Sequence, residues 1–144
     1  MFDLTGKIAI VTGASRGIGK AIAAHLAARG ATVVAAARGT NAAGTVSEIA
    51  AAGGKGEVAS VDVTDTATVE ALVSGTLERH ARIDILVNNA GITKDQLMLR
   101  MKREDWDSVI ATNLTSAFTC SQAVIKPMIK QRAGRIISIS SVVG

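Results

Sequence analysis

The sequence predicts an α/β fold, a doubly wound parallel sheet with helices on both faces. Three observations carry this. Short runs rich in Val, Ile and Ala alternate with amphipathic stretches along the chain. The runs lack the apolar–polar alternation of a half-solvated sheet, so they read as strands buried on both faces, as parallel pairing requires. A glycine-rich turn follows the first run and opens the first helix. With right-handed crossovers the expected strand order is 3-2-1-4-5, a Rossmann-type arrangement. Residues 1–144 read as one domain.

Each element has its own justification. Residues 7–12 (KIAIVT) form an apolar run closed by Gly13, the first strand. Residues 17–29 repeat Ile18, Ile22 and Leu26 at four-residue spacing and stop at Gly30, a helix with a C-terminal glycine. Residues 31–37 (ATVVAAA) are the second strand, residues 41–52 a weaker helix closed by Gly53-Gly54, and residues 56–61 the third strand. Asp65 can cap a helix reaching about Ala81, with Val69, Leu72, Val73 and Leu77 on one face. Residues 83–87 are the fourth strand. A long helix opens at Glu104 or Asp105, with Trp106, Ile110, Leu114, Ala117, Phe118, Val124, Ile125 and Met128 among its apolar positions. Pro127 is expected to kink or end it near the last turn. Residues 135–140 (RIISIS) are the fifth strand.

Composition excludes several classes. With 48% apolar and 19% charged residues the chain is not disordered. A single Cys rules out a disulfide framework or a multi-thiolate zinc site, and His25, His80 and Cys120 fall on separate helices, so no metal site is expected. No apolar run approaches the ~18–20 residues of a membrane span. The N-terminal stretch lacks a basic segment followed by an apolar one, so no targeting segment is expected and the location reads as cytoplasmic. Aromatics are 2%, with no Tyr, which argues against a base-stacking nucleic-acid module. The net charge of +4 is unevenly placed. Residues 92–135 hold eight cations against four anions, and the rest of the chain balances. That segment is either a solvated helix face or a docking patch for an acidic partner, with Lys130, Arg132 and Arg135 clustered at the end of the long helix.

The candidate site lies at the strand ends. After the first strand comes Thr12-Gly13-Ala14-Ser15-Arg16-Gly17-Ile18-Gly19, a GxxxGxG spacing that opens a helix. Such glycines let backbone approach a pyrophosphate, whose charge suits a helix N-terminus. The second strand ends without the carboxylate that would hold the ribose 2′-OH of NAD. Arg38 follows, with Arg16 on the glycine loop, and two guanidiniums can chelate a 2′-phosphate, which favours NADPH. Otherwise Arg38 is an exposed loop cation. Asp62, before Val63, either accepts from an adenine amino group or caps a turn. Asn88 and Asn89 can knit the fourth strand to its neighbours, and Gly91 lets a ribose come close. Ser141 is a hydroxyl at a strand end, and Asn113 a polar residue in an apolar helix face.

TGASRGIG at 12–19, DV at 62–63, NNAG at 88–91, ATNL at 111–114 and ISSVVG at 139–144 resemble, in order and spacing, the motifs of the short-chain dehydrogenase/reductase family. The segment NNAGITKDQLMLRMKREDW looks closer still to the bacterial branch that reduces 3-oxoacyl groups on acyl carrier protein. The resemblance implies that Gly13, Ser15, Arg16, Gly17, Ile18, Gly19, Arg38, Asp62, Val63, Asn89 and Gly91 bind NADPH. It implies that Ser141 is the catalytic Ser bonding the substrate carbonyl, and that Asn113 positions a water in a proton relay. It also implies a role in fatty acid synthesis, an acyl-carrier-protein-bound substrate and a homotetramer.

The family completes its site with a Tyr-x-x-x-Lys beyond the Ser, and no Tyr occurs here. The chain therefore reads as an N-terminal part of such an enzyme, a Rossmann domain incomplete at its C-terminus and inactive alone, since ketone reduction needs a proton donor. A reductase for acetoacetyl-CoA or another small ketone, and a non-catalytic nucleotide-binding half-domain, are the alternatives.

Overall fold

The computed structural model describes residues 2–142; Val143 and Gly144, the end of the ISSVVG match, lie outside them. β1 (Ile8–Thr12), β2 (Thr32–Ala37), β3 (Lys55–Ser60), β4 (Ile85–Asn88) and β5 (Arg135–Ser138) form a five-stranded sheet in the order β3-β2-β1-β4-β5. Every pairing is parallel. This is the expected doubly wound arrangement. Between the strands run α1 (Gly17–Ala28), α2 (Ala43–Ala51), α3 (Thr66–His80), α4 (Arg103–Ile110) and α5 (Ser116–Gln131).

Strand periodicity sorts the core into two layers. Ala9, Val11, Val33 and Ala35 face α1 and α2, meeting Ala23, Ala27 and Ile49. Ile10, Val34, Ala36 and Leu86 face the opposite way, meeting Val69, Leu72 and Val73 of α3 and Cys120, Val124 and Met128 of α5. The first layer is dominated by alanine, the second by larger aliphatics.

Two expectations need correction. β1, β2 and β4 are buried throughout except for Thr32, but β3 and β5 are not. Each is an edge strand with one neighbour in the sheet. The long helix is not continuous: it opens at Arg103 and passes through a π-helical turn at Ala111–Thr115 before α5. Side-chain hydroxyls there bond back to the helix, Ser116 Oγ to the Thr112 carbonyl and Thr119 Oγ1 to the Thr115 carbonyl, which favours such irregularity. Pro127 lies inside α5, which ends one turn later at Gln131. The turn beyond the proline is anchored from outside the helix. Met128 is buried, and Gln131 donates to the Ile83 carbonyl at 2.8 Å and accepts from the Ile83 N–H at 3.0 Å. Of the apolar positions expected on this helix, Val124 and Met128 are buried. Trp106, Leu114, Phe118 and Ile125 are exposed, at 52%, 64%, 65% and 46%.

Candidate functional site

The C-terminal ends of β1, β2 and β4 converge where the sheet order reverses, the place where ligands of open α/β sheets bind. Thr12 joins β1 to β4. Its hydroxyl donates to the Val87 carbonyl at 3.3 Å and accepts the N–H groups of Asn89 at 3.0 Å and Ala90 at 3.1 Å. Asn89 returns the link: its amide donates to the carbonyls of Thr12 and Gly13, both at 3.2 Å. This crowding dictates the glycine at position 19. A Cβ on Gly19 would sit 2.2 Å from the Gly13 carbonyl oxygen and 2.3 Å from the Asn89 amide nitrogen.

Beyond Gly13 the loop opens outward. Gly17 takes φ +57°, a left-handed conformation, and an added Cβ would point into open space. Arg16, with extended backbone, is the N-cap of α1. No side chain caps that terminus, and the first turn holds no acid. Ser15 is half-buried; Arg16, Gly17 and Ile18 are exposed. The helix start thus offers a positive dipole end and N–H donors without side-chain competition, which fits a pyrophosphate.

Arg38 directly follows β2 and is exposed. Its charge acts on Asp62, past the end of β3. The Thr64 hydroxyl and N–H bonds hold the Asp62 carboxyl below the usual carboxylate range against desolvation, and the Arg38 charge adds to this. Both Thr64 bonds, 2.6 and 2.9 Å, reach Asp62 Oδ1. Asp62 thus caps a turn through Oδ1. Val63, also singled out from sequence, is buried in the α3 layer, so only its backbone faces the site.

On the other side of β1 stands Asn113, within the π-helical turn. Its amide grips both backbone groups of Ile92, accepting from the N–H and donating to the carbonyl, each at 2.8 Å. A Cβ on Gly91 would meet Asn113 Oδ1 at 3.4 Å, ordinary contact. Asn88 spans to the next elements, donating to the hydroxyls of Ser121 at 3.2 Å and Ser138 at 3.3 Å. Ser138 closes β5, and the exposed Ser141 follows it at the same end of the sheet.

The structure thus brings the glycine loop, Arg38, Asp62, Asn89, Gly91, Asn113 and Ser141 to one end of the sheet. Lys130, Arg132 and Arg135 are not there: they flank the start of β5 at the opposite end, so this cluster does not line the chain's own site. Lys94, Arg100, Lys102 and Arg103, on the segment leaving β4, begin from the site end. Sequence reading missed Thr12 as a structural hub; its signal was a lone hydroxyl closing an otherwise apolar strand. Cys120 is buried and its thiol is pushed up to about 11 by desolvation, so it is inert. Among the described residues no cluster of three or more His, Cys, Asp or Glu could hold a metal, and no helix is long and apolar enough to cross a membrane.

Known proteins agree with this arrangement. The family model described as short chain dehydrogenase matches residues 7–144. The 3-oxoacyl-[acyl-carrier-protein] reductase of Escherichia coli K12 is 53% identical over 142 residues, covering 99% of this chain and 57% of that protein. The reductase of the same description from Synechocystis is 53% identical over 146 residues, covering 59% of its length. Among solved structures, a Mycobacterium marinum short-chain type dehydrogenase/reductase superposes with a TM-score of 0.96 at 40% identity, covering 99% of this chain and 59% of that one. A metagenomic short-chain oxidoreductase in complex with NADP superposes with a TM-score of 0.92 at 42% identity, covering 96% of this chain and 64% of that one. The chain therefore spans little more than half the length of the curated relatives it matches. From the family model's match over residues 7–144 and these identities, the chain belongs to the short-chain dehydrogenase family.

Proposed function

We propose that this chain is the NADPH-binding part of a reductase acting on 3-oxoacyl thioesters carried by acyl carrier protein, in fatty acid synthesis. The observation that carries the reading is the pairing of an uncapped, acid-free α1 terminus with Arg38 beyond a strand end that has no carboxylate. Similarity to two 3-oxoacyl-[acyl-carrier-protein] reductases at 53% identity supports the substrate class, and likeness to an NADP complex supports the cofactor. When bound, the nicotinamide supplies a hydride.

This chain's residues would do the rest as follows. Gly13, Ser15, Gly17, Ile18 and Gly19 shape the loop, and the first-turn N–H groups of α1 receive the pyrophosphate. Arg16 and Arg38 neutralise the 2′-phosphate. Asp62 and the backbone of Val63 border the adenine, and Asn89 and Gly91 border the ribose. Ser141 donates a hydrogen bond to the substrate carbonyl, and Asn113, fixed on Ile92, orders the water of a proton relay. With no Tyr in residues 1–144, the family's proton donor is not in this stretch, and residues 1–144 alone should not reduce a ketone. The exposed Trp106, Leu114, Phe118, Ile125 and Ile129 suit a homo-oligomer, a tetramer as in the family, and the setting would be cytoplasmic.

The test is Arg38→Asp in the intact protein. Losing a charge-assisted phosphate contact should weaken NADPH by about 1.5–3 kcal/mol while sparing NADH. Equal loss for both cofactors would remove Arg38 from the 2′-phosphate.

A further inference from the structure

One buried hydroxyl beside the site has no part in the scheme above. Thr45 lies on α2, on the face shared by Ala42 and Ile49, and is 1% exposed. A hydroxyl in that alanine-rich layer is costly unless satisfied. It donates to the Ala14 carbonyl at 2.6 Å, across 31 residues of sequence. Ala14 is fully buried in the glycine loop, and its N–H donates to the Ala36 carbonyl at 3.2 Å. Both backbone groups of Ala14 are therefore held, one by β2 and one by α2.

Arg38 sits on the segment that joins those same two elements. The segment is itself closed by Asn41 N–H donating to the Arg38 carbonyl and Ala43 N–H donating to the Thr40 carbonyl. The ion pair of Lys20 with Glu48 at 2.6 Å also links α1 to α2, but both side chains are substantially exposed and such pairs contribute little. The Thr45 bond is the buried tie between the loop and the α2 side of Arg38.

We propose that Thr45 is a positioning residue that sets selectivity for NADPH over NADH, by fixing the glycine loop relative to Arg38. The inference rests on the cofactor reading above. A dinucleotide with a 2′-phosphate bridges both segments; one without it engages the glycine loop and not the Arg38 guanidinium. Slack between the segments therefore penalises the bridging ligand selectively, through lost preorganisation.

The experiment compares Thr45→Val and Thr45→Ser with the unmodified intact protein, titrating NADPH and NADH by nicotinamide fluorescence and recording Tm. Thr45→Val removes the donor at similar volume. It should raise the NADPH Kd about tenfold, or about 1.4 kcal/mol, and the NADH Kd less than about threefold. Thr45→Ser keeps the donor and should keep the NADPH/NADH ratio even where Tm falls. Parallel losses for both cofactors in Thr45→Val would reduce Thr45 to a stability role, and a collapsed ratio in Thr45→Ser would show that the bond to Ala14 is not what sets selectivity. If Thr45→Val does not fold, Thr45→Ala, which also removes the donor, takes its place and is read the same way. Arg38→Ala is the control. An unchanged ratio there overturns the cofactor reading itself, whereas a fallen ratio there with none in Thr45→Val overturns the Thr45 inference only.

Discussion

At the start of β4, Asp84 is 6% exposed and still takes three hydrogen bonds. Ile8 N–H donates to it at 2.9 Å, and the Arg82 guanidinium donates in a fork at 2.8 and 2.6 Å. Burial pushes the carboxyl up, but the Arg82 and Ile8 bonds and the charges of Arg82 and Lys7 outweigh it, so the group titrates below its ordinary value. As pH falls, the unfolded chain then takes up this proton first. The stability Asp84 contributes is whole above a carboxylate's ordinary pKa of about 4 and is lost as pH drops through the lower folded value. Asp84→Asn should cost about 1–3 kcal/mol at neutral pH by urea unfolding, and the gap from the unmodified protein should narrow below about pH 4. A gap that stays constant into acid would show that the charge is irrelevant. Residues such as Asp84, Thr12 and Thr45 were hard to read from sequence for one reason. Each has a backbone partner 76, 75 or 31 positions away, a group that carries no sequence signal; only the Arg82 side of Asp84 is local. The glycines were legible because their requirement is local.

The same contrast holds for whole elements. α3 could be placed at its start because Asp65 caps it, accepting from Ala67 N–H at 3.0 Å. Its end carries no glycine. Ala81 takes the left-handed conformation instead, at φ 62°, donating to the Leu77 carbonyl at 2.8 Å. An L-residue with a Cβ is disfavoured there by about 1–2 kcal/mol. Ala81→Gly should therefore stabilise the protein by roughly 0.5–1 kcal/mol, seen as a higher Tm; an unchanged or lower Tm would mean the position bears no strain. The π-helical turn was invisible in a pattern read at 3.6-residue spacing, because Ile110, Leu114 and Ala117 keep that apolar spacing across it. Pro127 stands one turn before the end of α5, as its local cost suggests, whereas the Gln131–Ile83 pairing that anchors that turn lies outside any local window.

For the molecule as a whole, strand order and layer count were legible, because alternating apolar runs and crossovers leave few topologies open. The grouping of charges was not. Cations adjacent in sequence count divide between the two ends of the sheet, and only the folded path shows which belong together. Lys94, Arg100, Lys102 and Arg103 leave from the site end, whereas Lys130, Arg132 and Arg135 stand about a strand length away, roughly 10–15 Å. If an acidic carrier protein docks by the site, Arg100→Glu should raise KM for carrier-bound substrate and leave a small thioester analogue unaffected. Harm to both substrates alike would assign Arg100 to the fold. The same effect from Arg132→Glu would place the far cluster beside the site of another copy.

The two layers also differ in how much room they leave for sequence drift. In the layer under α3 and α5, Ile, Val, Leu and Met can exchange volume among themselves, since a methylene lost at one position can be regained at a neighbour. Under α1 and α2 there is less to exchange, for eight buried alanines outnumber Val11, Val33, Ile49, Ile85 and Val87. Alanine has only glycine below it, which loosens the helix, and every larger residue pushes the helix off the strands that carry the glycine loop. Neutral wandering is thus open to one half of this core and nearly closed to the other, and the closed half is the one that holds the loop proposed to bind phosphate.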